Sequence, residues 1–544
     1  MNGKQFIAGL RRPVVMLLFA AVTVLVIAAI LQTVPGYMDA EYYYVGGQQL
    51  FLGRGFTEPF LWNYLDQPAG LPHPAFTYWM PLASILSFIG MRLTGAGSFL
   101  AARWPFLLFS ALIPWLTYRL TRAIGAKPAT AQLAGWLAVF PGFYLVYSTL
   151  TETFALYMLG GTLFFLIISL DGRRWKTNLS WLRFGILGLI AGWMHASRAD
   201  GLLWFGLAGL VWIVEIFAGI RNKSLNWKQA AGGFASVLLG YILVMGAWYA
   251  RNVNLYGVLF LPGGARTLWL INYDQTFTLD ANTLTPQSWL AAGWAEMMKA
   301  RGWALILNLK NFIAVQGSVF LLPFILVGLW TKRKIAGIQY GMIGWVLTLA
   351  AMTLVFPFSG SRGGFLHSGA AFQPLFWACA AVGLDNAITY GASKRSWSRK
   401  MAWRVFSISA VVLAALVTVW AFWGRVLHPD LRSPGWITGQ ENYRAVGAYL
   451  DQNNIPETDL FLVNDPPGFF LATGRSSIVI PDGGEQELFA AAQKYGAKYL
   501  VLDQNNPKLI QLYQSENGIH AFVFVNAVGP VKIYQVIEAV KGPS

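Results

Sequence analysis

The sequence predicts a polytopic α-helical membrane protein, with about 11 transmembrane helices and a small C-terminal α/β domain outside the membrane. Three observations lead to this fold class. Hydrophobic residues make up 56% of the 544 residues and charged residues only 12%, about half of the ~25% that is usual in soluble globular chains. Apolar runs of about 20 residues, each long enough to cross a bilayer, recur through most of the chain. After residue 424 the hydropathy falls, and short strand-like runs replace the long apolar ones.

Eleven apolar segments are predicted to cross the membrane as helices. They lie at residues 14–34, 100–118, 129–147, 153–170, 184–198, 201–218, 231–250, 306–330, 336–356, 369–389 and 405–423. A further apolar stretch, 75–95, is interpreted as a juxtamembrane or re-entrant helix. Counting it as a span would place Arg119 and Arg122 on the outer side, whereas leaving it out keeps every basic loop inside.

The lysines and arginines of short loops set the expected orientation, because they favour the cytoplasmic side. They fall on one side of the eleven-span arrangement, and they are Lys4, Arg11 and Arg12; Arg119, Arg122 and Lys127; Arg173, Arg174 and Lys176; Arg221, Lys223 and Lys228; Lys332, Arg333 and Lys334; and Lys394, Arg395, Arg399 and Lys400. We therefore expect a multi-pass protein of the cell (cytoplasmic) membrane, with a cytoplasmic N-terminus and an extracytoplasmic C-terminal domain. Since these loops carry much of the excess behind the net charge of +16, no nucleic-acid partner is expected.

The predicted domain boundary lies where the hydropathy falls. Residues 1–424 form the transmembrane domain, with outer loops at 35–99, 251–305 and 357–368, and residues 425–544 form the soluble α/β domain. Within the soluble domain the patterns predict helices at 440–453 and 485–495 and strands at 459–464, 499–503, 520–525 and 531–536. The segment Asp465-Pro466-Pro467-Gly468 predicts a turn.

Several kinds of enzyme site are excluded by the sequence. Cys379 is the single cysteine, so the chain has no intrachain disulfide and no thiolate metal cluster. It contains no GxxxxGK[ST] phosphate loop, no HExxH zinc pair and no GxSxG nucleophile elbow, and no GxGxxG follows a strand. The polar residues of the outer loops are therefore the candidates for a reactive site.

The first outer loop begins with two acids, Asp39 and Glu41, within GYMDAEYYY at residues 36–44. An acid at the edge of the membrane is a candidate functional group, because its desolvation is costly. Asp39 could serve as a general base with a raised pKa, or both acids could hold a divalent cation through oxygen ligands. An aspartate that caps a juxtamembrane helix beside an aromatic belt is an equally good explanation.

Two further groups of charged residues lie at outer ends of predicted spans. Glu152, in STLTET at residues 148–153, faces the same side as Asp39, although a helix cap formed by Thr151 and Glu152 also explains the segment. Arg198 and Asp200 occupy a tight outer turn. They either pair with one another, as charges at membrane depth usually do, or contribute to an outer cavity.

The third outer loop has the composition of an anion-binding loop. It reads SGSRGGFLHS at residues 359–368, where glycines allow a close approach of the backbone and Arg362 could bind phosphate oxygens in a forked geometry. His367 could donate to the same group. An ordinary glycine-rich turn with an interfacial arginine is the alternative. Arg251 and Arg266 flank the second large outer loop and are weaker candidates for a phosphate site.

The order of these elements resembles the GT-C superfamily of membrane glycosyltransferases. The resemblance rests on the acidic residues directly after the first span, the long first outer loop and the segment HPAFTYW at residues 73–79. The nearest branch of the superfamily contains protein O-mannosyltransferases and aminoarabinose transferases. The resemblance covers roughly residues 1–390. The chain departs from the branch at Ala40, which separates the two acids, and at Ala75, which replaces the second proline of a Pro-Pro pair. His73 corresponds in place to the cationic residue before that pair, and a surface histidine in a proline-broken loop is the alternative.

The resemblance implies an inverting glycosyltransferase at the outer face of the membrane. Such an enzyme moves a sugar from a polyprenyl-phosphate-linked donor, bound among membrane lipids, to a hydroxyl of an acceptor protein, lipid or glycan. The candidate site residues are Asp39, Glu41 and Glu152 for catalysis; Arg362, His367, His73, Arg251 and Arg266 for the donor phosphate; and Arg198, Asp200, Tyr42 and Tyr43 for the substrate cavity. The one cofactor considered is a divalent cation held by Asp39 and Glu41.

Two other functions remain open at this stage. A polytopic transporter or lipid flippase would also need many spans, but transporters bind near the midplane through broken helices and internal repeats. The acids of this chain gather at the outer ends of the spans, and no repeat is visible. A membrane-anchored receptor or sugar-binding module would place the function in the soluble domain, yet eleven spans are more than an anchor needs.

Overall fold

A computed structural model describes residues 3–170, 180–222, 227–427, 435–504, 506–515 and 517–537. The basic residues Arg173, Arg174, Lys176 and Lys223, which entered the predicted orientation, lie outside the described residues, as do the side chains of Lys4, Arg11 and Arg12.

The chain is predominantly helical up to residue 427. The helices up to residue 256 are α1 (Gly3–Leu31), α2 (Met38–Phe51), α3 (Leu82–Thr94), α4 (Phe99–Ala102), α5 (Trp104–Ala123), α6 (Pro128–Val139), α7 (Leu145–Ser148), α8 (Phe154–Ser169), α9 (Ser180–Ser197), α10 (Leu202–Arg221) and α11 (Trp227–Tyr256). Those that follow are α12 (Pro262–Arg266), α13 (Pro286–Ala291), α14 (Gly293–Asn311), α15 (Leu322–Lys332), α16 (Ala336–Ala350), α17 (Pro357–Ser359), α18 (Phe365–Gly369), α19 (Gln373–Arg395) and α20 (Arg399–Phe422).

Five of the described helices are long and apolar enough to cross a membrane, and a sixth span arises if one bent pair is counted as one. The five are Pro13–Leu31, Ala199–Arg221, Trp227–Tyr256, Ala336–Val355 and Arg399–Leu427, and the bent pair is Pro128–Val139 with Gly142–Ser148, at 49°. The count of eleven spans therefore stays a prediction. Within the predicted re-entrant stretch 75–95, residues from Leu82 onward form the short apolar helix α3.

Two predicted segments are not continuous helices: 129–147 bends by 49° between Val139 and Gly142, and 306–330 is interrupted. The helix α14 passes into a π-helical turn, Phe312–Gln316, and stops before α15 begins. Between them Ser318 and Val319 have positive φ angles of 43° and 55°. A right-handed helix cannot continue through two such residues, so the apolar pattern alone overestimated its length.

The core of the helical part is built around α19. Its residues from Gln373 to Leu384 are all buried, as expected for a helix surrounded by others. The neighbouring α15 approaches so closely that a Cβ atom added to Gly328 would lie 2.0 Å from the carbonyl oxygen of Cys379. Small residues at the contact allow this backbone approach. The helix α19 thereby fixes the position of α18, which precedes it directly.

The soluble domain is a mixed sheet with helices. Its helices are α21 (Trp436–Gln452), α22 (Pro466–Thr473), α23 (Glu485–Tyr495) and α24 (Ile510–Gln514). The strands of the chain are β1 (Thr57–Glu58), β2 (Phe60–Leu61), β3 (His73–Pro74), β4 (Leu460–Val463), β5 (Ser477–Val479), β6 (Ala497–Leu502), β7 (Gly518–Ile519), β8 (Phe522–Val528) and β9 (Val531–Val536). β1 and β3 pair antiparallel, and the other seven form a sheet in the order β2-β5-β4-β6-β9-β8-β7.

The predicted helices and strands of the soluble domain occur in the structure, which adds β5, β7 and α24 and differs from the prediction at two further places. The predicted turn at Asp465 is wrong, because Asp465 is the N-cap of α22 and its carboxylate accepts a hydrogen bond from the Gly468 N–H at 3.2 Å. Prolines are well suited to the first turn of a helix, which the turn assignment overlooked. The second difference is β2, a strand of the first outer loop that pairs in parallel with β5. The sheet of the domain assigned to 425–544 is therefore extended by residues of the loop 35–99.

Candidate active site

Three side chains from three separate segments meet in one cluster, called the triad below. Asp39 lies in the first turn of α2, Glu152 precedes α8, and His367 lies in α18. The Nδ1 atom of His367 is 2.8 Å from Oε1 of Glu152, and its Nε2 atom is 3.9 Å from Oδ2 of Asp39. The Asp39 side chain is 27% exposed, whereas Glu152 is 1% exposed. The triad thus has one accessible carboxylate in front of a buried pair.

Short polar contacts hold the Glu152 segment against α2 and α18. The Thr151 hydroxyl donates to the carbonyl oxygen of Ala40 at 2.8 Å, and α8 begins without a side-chain cap. The capping role considered for Thr151 is therefore wrong. The ring of Phe154 stacks on the ring of His367 with centroids 4.1 Å apart. These contacts explain why the Glu152 side chain points toward Asp39 and His367.

A second network, which sequence reasoning missed, ties the end of α1 to the Glu152 segment. Arg103 donates to the carbonyl oxygens of Ala29 and Gln32, each at 2.7 Å. The Gln32 amide donates to the carbonyl oxygen of Val146 at 3.1 Å, and its oxygen accepts from the Thr149 hydroxyl. The available signal was Arg103 itself, an arginine at the start of a long apolar helix, which requires buried partners.

Arg198 and Asp200 pair with one another and also lie beside the triad. The Arg198 Nε atom is 2.9 Å from Oδ1 of Asp200. The other carboxylate oxygen of Asp200 accepts from the Ser368 hydroxyl at 2.6 Å and from the Tyr157 hydroxyl at 3.2 Å. Ser368 follows His367 directly, so this pair helps to fix α18. The ion pair considered from the sequence is therefore present, and the contribution of the two residues to an outer cavity stays a prediction.

Arg362 lies in the segment directly before α18, and its charge is unpaired among the described residues. Its guanidinium stacks on Tyr273, 4.9 Å from the ring centroid. Among the described residues it forms no ion pair with a carboxylate and no hydrogen bond. The loop bends here because Gly363 has a φ of 126°, which favours glycine. Arg362 is exposed and free to bind an anion.

The electrostatic setting differs between Asp39 and His367. Burial raises the pKa of Asp39 to about 8, helped by the negative charge of Glu152 and opposed by Arg198. Burial also lowers the pKa of His367, followed by the charge of Arg198. A neutral imidazole with its Nδ1–H directed to Glu152 leaves Nε2 as an acceptor on the side of Asp39. Asp39 is thus a carboxyl group that changes charge near neutral pH.

The triad also fits a divalent cation. One ligand atom from each of its residues lies within 4.8 Å of the others, and Oε2 of Glu152 is buried without a hydrogen-bond donor. One imidazole nitrogen with carboxylate oxygens is a donor set that suits ions such as Zn²⁺ or Mn²⁺. The predicted cation pair of Asp39 and Glu41 is replaced here by a set drawn from three segments.

Glu41 and Tyr42 point away from the triad. Residues two apart on a helix face nearly opposite sides, so α2 directs Glu41 to the soluble domain, where its carboxyl group lies beside that of Asp465. Burial and the charge of Asp465 raise the pKa of Glu41. Tyr42 is buried among aromatic rings, and its hydroxyl accepts from the Phe76 N–H at 2.8 Å. Tyr43 lies one helical turn after Asp39, and its pKa is raised by burial and then by the charge of Glu152.

The remaining candidates for a phosphate site bind the protein's own outer loops. His73 pairs with Asp66 at 2.7 Å. Arg251 donates to the carbonyl oxygen of Ala75 at 2.8 Å and stacks on a tryptophan. Arg266 donates to the carbonyl oxygen of Leu65 and to an asparagine side chain. These contacts join the first and second outer loops, and the structure does not bring the three residues to the triad.

Comparisons with known proteins find structural but no sequence relatives. No family model matches the chain, and no curated protein matches it. The structure is similar to ArnT from Cupriavidus metallidurans bound to undecaprenyl phosphate, with a TM-score of 0.56, 12% identity and coverage of 98% of this chain and 99% of that chain. It is also similar to the oligosaccharyltransferase AglB from Archaeoglobus fulgidus in complex with an inhibitory peptide and a dolichol-phosphate. There the TM-score is 0.54 at 15% identity, over 89% of this chain and 69% of that chain.

Both similar structures are membrane glycosyltransferases of one superfamily. At this level of identity the likeness concerns the arrangement of the helices and not the chemistry of individual residues. It covers nearly the whole length of the chain, soluble domain included, in the case of ArnT. The chain therefore has the fold that these two structures share.

Proposed function

We propose that the protein is a glycosyltransferase that transfers a sugar from a polyprenyl-phosphate-linked donor to an acceptor hydroxyl at the outer face of the membrane. The observation that carries this proposal is the position of Asp39, an accessible carboxyl group with a pKa raised to about 8, beside the Glu152–His367 pair. The similar structures support the choice of donor, since one contains undecaprenyl phosphate and the other a dolichol-phosphate.

The origin of the site residues supports a location at the outer face. Asp39 comes from the first outer loop, Glu152 from the predicted outer end of a span, and His367 and Arg362 from the third outer loop. All of them belong to the side that we predict to be extracytoplasmic. A lipid-linked donor suits this position, because its chain stays in the bilayer while the sugar phosphate reaches the surface.

The proposed reaction is a single displacement with inversion. Asp39 removes the proton from the acceptor hydroxyl, and the oxygen attacks the anomeric carbon of the donor sugar. The bond from that carbon to the phosphate oxygen breaks as the new glycosidic bond forms, and its electron pair leaves with the phosphate. Arg362 stabilises the charge that grows on the phosphate. Glu152 orients His367, so that the ring borders the Asp39 carboxylate.

A divalent cation at the triad is the alternative way for these residues to act. Asp39, Glu152 and His367 would hold the ion. Oε2 of Glu152, which is buried without a hydrogen-bond partner among the described residues, could then act as a ligand of the ion. Such an ion would supply positive charge beside the donor phosphate. In that case a chelator abolishes transfer and added Zn²⁺ or Mn²⁺ restores it, whereas transfer that is insensitive to chelators excludes this alternative.

The proposed function is tested with purified protein in lipid nanodiscs and a panel of radiolabelled polyprenyl-phosphate sugars. Acceptors are offered as peptides, lipids and oligosaccharides. We expect transfer of one sugar class to one acceptor class, with release of polyprenyl phosphate. Movement of substrate across sealed vesicles without any transfer would contradict the enzyme and favour a transporter or flippase.

A further inference from the structure

The first turn of α2 carries Asp39 but lacks a cap of its own. The N-cap residue, Tyr37, is extended and makes no side-chain hydrogen bond to the helix. The first backbone N–H groups of a helix have no partner within it, so an uncapped turn depends on contacts from outside. Thr151 holds this turn from outside, because its hydroxyl donates to the carbonyl oxygen of Ala40 and does not cap an N–H group.

The soluble domain contacts this turn on its entry side. The ring of Tyr37 stacks on the ring of Trp436 with centroids 5.4 Å apart and planes inclined by 23°. Gly36 has a φ of 84°, and a Cβ atom added there would lie 2.5 Å from the Cβ atom of Trp436. The chain therefore enters α2 pressed against the first residue of α21.

The soluble domain contacts the same turn again through a pair of carboxyl groups. Oε2 of Glu41 and Oδ2 of Asp465 converge on Gly468, where an added Cβ atom would lie 2.9 Å from the first and 2.7 Å from the second. The two carboxyl groups lie within hydrogen-bonding reach of one another, and one of them must carry a proton for a hydrogen bond to form between them. Glu41 is 4% exposed. Asp465 is itself held in place, because it caps α22 through the Gly468 N–H.

The domain that makes these contacts is anchored to the loop that contains α2. Strand β2 of that loop pairs in parallel with β5, with Phe60 opposite Ser477 and Leu61 opposite Ile478. The ring of Phe60 also contacts the ring of Phe470 in α22, with centroids 6.1 Å apart. The first outer loop is thus joined to both β5 and α22. These contacts hold Asp465, the N-cap of α22, in place beside Glu41.

We propose that Asp465 is a positioning residue for the transfer reaction, which acts through Glu41 to hold the first turn of α2 and so keeps Asp39 beside Glu152 and His367. The soluble domain is then a part of the catalytic site, although it contributes no group that touches the substrate. The role of Asp39 in this proposal rests on the proposed function, whereas the hold on α2 does not.

The hold on α2 is tested by hydrogen exchange of the full-length protein in nanodiscs. The readout is the peptide that covers residues 41–45, whose first helical bond joins the Glu41 N–H to the Tyr37 carbonyl oxygen at 3.1 Å. In Asp465→Ala and Glu41→Ala we expect exchange to accelerate about ten-fold, the effect of losing one buried hydrogen bond to a charged group. Asp465→Asn and Glu41→Gln should exchange nearly as the unmodified protein, because an amide can still donate to the remaining carboxylate.

The matched control is Glu485→Ala, which removes a carboxylate that pairs with His520 at 2.8 Å elsewhere in the soluble domain. It should leave exchange at residues 41–45 unchanged. Unchanged exchange in both Asp465→Ala and Glu41→Ala would overturn the proposal. So would equal acceleration in the alanine variants and in Glu485→Ala, because the effect would then be a general loosening of the domain.

The link to catalysis is tested by combining variants. If Asp465 acts through Asp39, Asp465→Ala lowers kcat without changing donor KM, and it has no further effect once Asp39 is Asn, since groups that act as a unit are not additive. A merely structural role would reduce the residual rate of Asp39→Asn further. Slow sugar transfer by Asp39→Asn together with a normal transfer rate of Asp465→Ala overturns the positioning role of Asp465 and leaves the proposed function standing. Normal transfer by Asp39→Asn overturns the proposed base, while the exchange result still decides the hold on α2.

Discussion

His367 and Glu152 are joined by a contact of 2.8 Å between Nδ1 and Oε1, which connects the loop before α19 to the segment before α8. Because the nitrogen that faces Glu152 carries the proton in a neutral ring, the other ring nitrogen is left as an acceptor on the side of Asp39. A carboxylate that accepts a hydrogen bond from one ring nitrogen fixes the orientation of the imidazole and the position of its other nitrogen. The Glu152–His367 pair therefore determines which ring nitrogen of His367 lies beside the carboxyl group of Asp39, the proposed base.

The first prediction concerns this pair. In Glu152→Gln the side chain keeps its size but loses its charge, so the His367 ring loses a charge-assisted hydrogen bond. We expect kcat to fall about 10- to 100-fold, corresponding to about 1.5–3 kcal/mol, with donor binding retained. Initial rates and binding of undecaprenyl phosphate would be compared with those of Glu215→Gln, where the carboxylate pairs with Arg183 at 2.7 Å and takes no part in the site. Wild-type kcat in Glu152→Gln would remove the pair from the mechanism.

The second prediction concerns the donor phosphate. If Arg362 binds it, Arg362→Ala should weaken binding of undecaprenyl phosphate about ten-fold or more, because charge-assisted hydrogen bonds are worth about 1.5–3 kcal/mol. Arg362→Lys should restore only part of the affinity, since a point charge lacks the forked geometry. Arg333→Ala is the matched control, an arginine stacked on Trp330 at 4.3 Å in a predicted cytoplasmic loop. Equal affinities in all four proteins would exclude Arg362 from the phosphate site.

The third prediction concerns pH. Burial, together with the Glu152 charge, raises the pKa of Asp39 to about 8. The base must be deprotonated, so kcat/KM should rise about ten-fold per pH unit well below pH 8 and level off above it. In Asp39→Glu the rise should persist at lower absolute rates. A cation bound at the triad would lower the pKa of its carboxylate ligands, so a plateau that already begins near pH 6 would contradict a metal-free base.

The fourth prediction concerns topology. The basic loops and eleven spans place the soluble domain outside the membrane. A reporter enzyme fused after Ser544 should therefore be active only on the extracytoplasmic side, and one fused within the loop 390–404 only in the cytoplasm. Cytoplasmic activity of the C-terminal fusion would refute the eleven-span arrangement and the shared outer location of the site.

Local patterns predicted much of the fold. The helix at Glu485–Tyr495 and the strand at Val531–Val536 occur at the predicted positions, because amphipathic and alternating patterns are properties of neighbouring residues. Apolar runs likewise predicted the helical segments up to residue 424. They failed at 306–330, where composition carried no sign of the positive φ angles at Ser318 and Val319, and at 129–147, where the chain bends by 49° after Val139.

The site could be predicted only in part, because its members meet through long-range contacts. Asp39, Glu152 and His367 were each identified as charged or titratable residues at outer ends of spans, and the structure adds that they form one cluster. The contact of Glu41 with Asp465 had no local signal, since it depends on the docking of a domain that lies far along the chain. The strand β2 is only two residues long and shows no alternation to detect.

The central claim, that Asp39 is the base of a sugar transfer, is tested most directly by the transfer rate of Asp39→Asn. The variant keeps the size of the side chain but cannot accept the acceptor proton, and loss of a general base typically costs about 10²–10⁴ in rate. Its folding and its binding of undecaprenyl phosphate serve as controls and should match those of the unmodified protein. We expect normal binding with transfer reduced at least about 100-fold. Transfer at the unmodified rate would contradict the account.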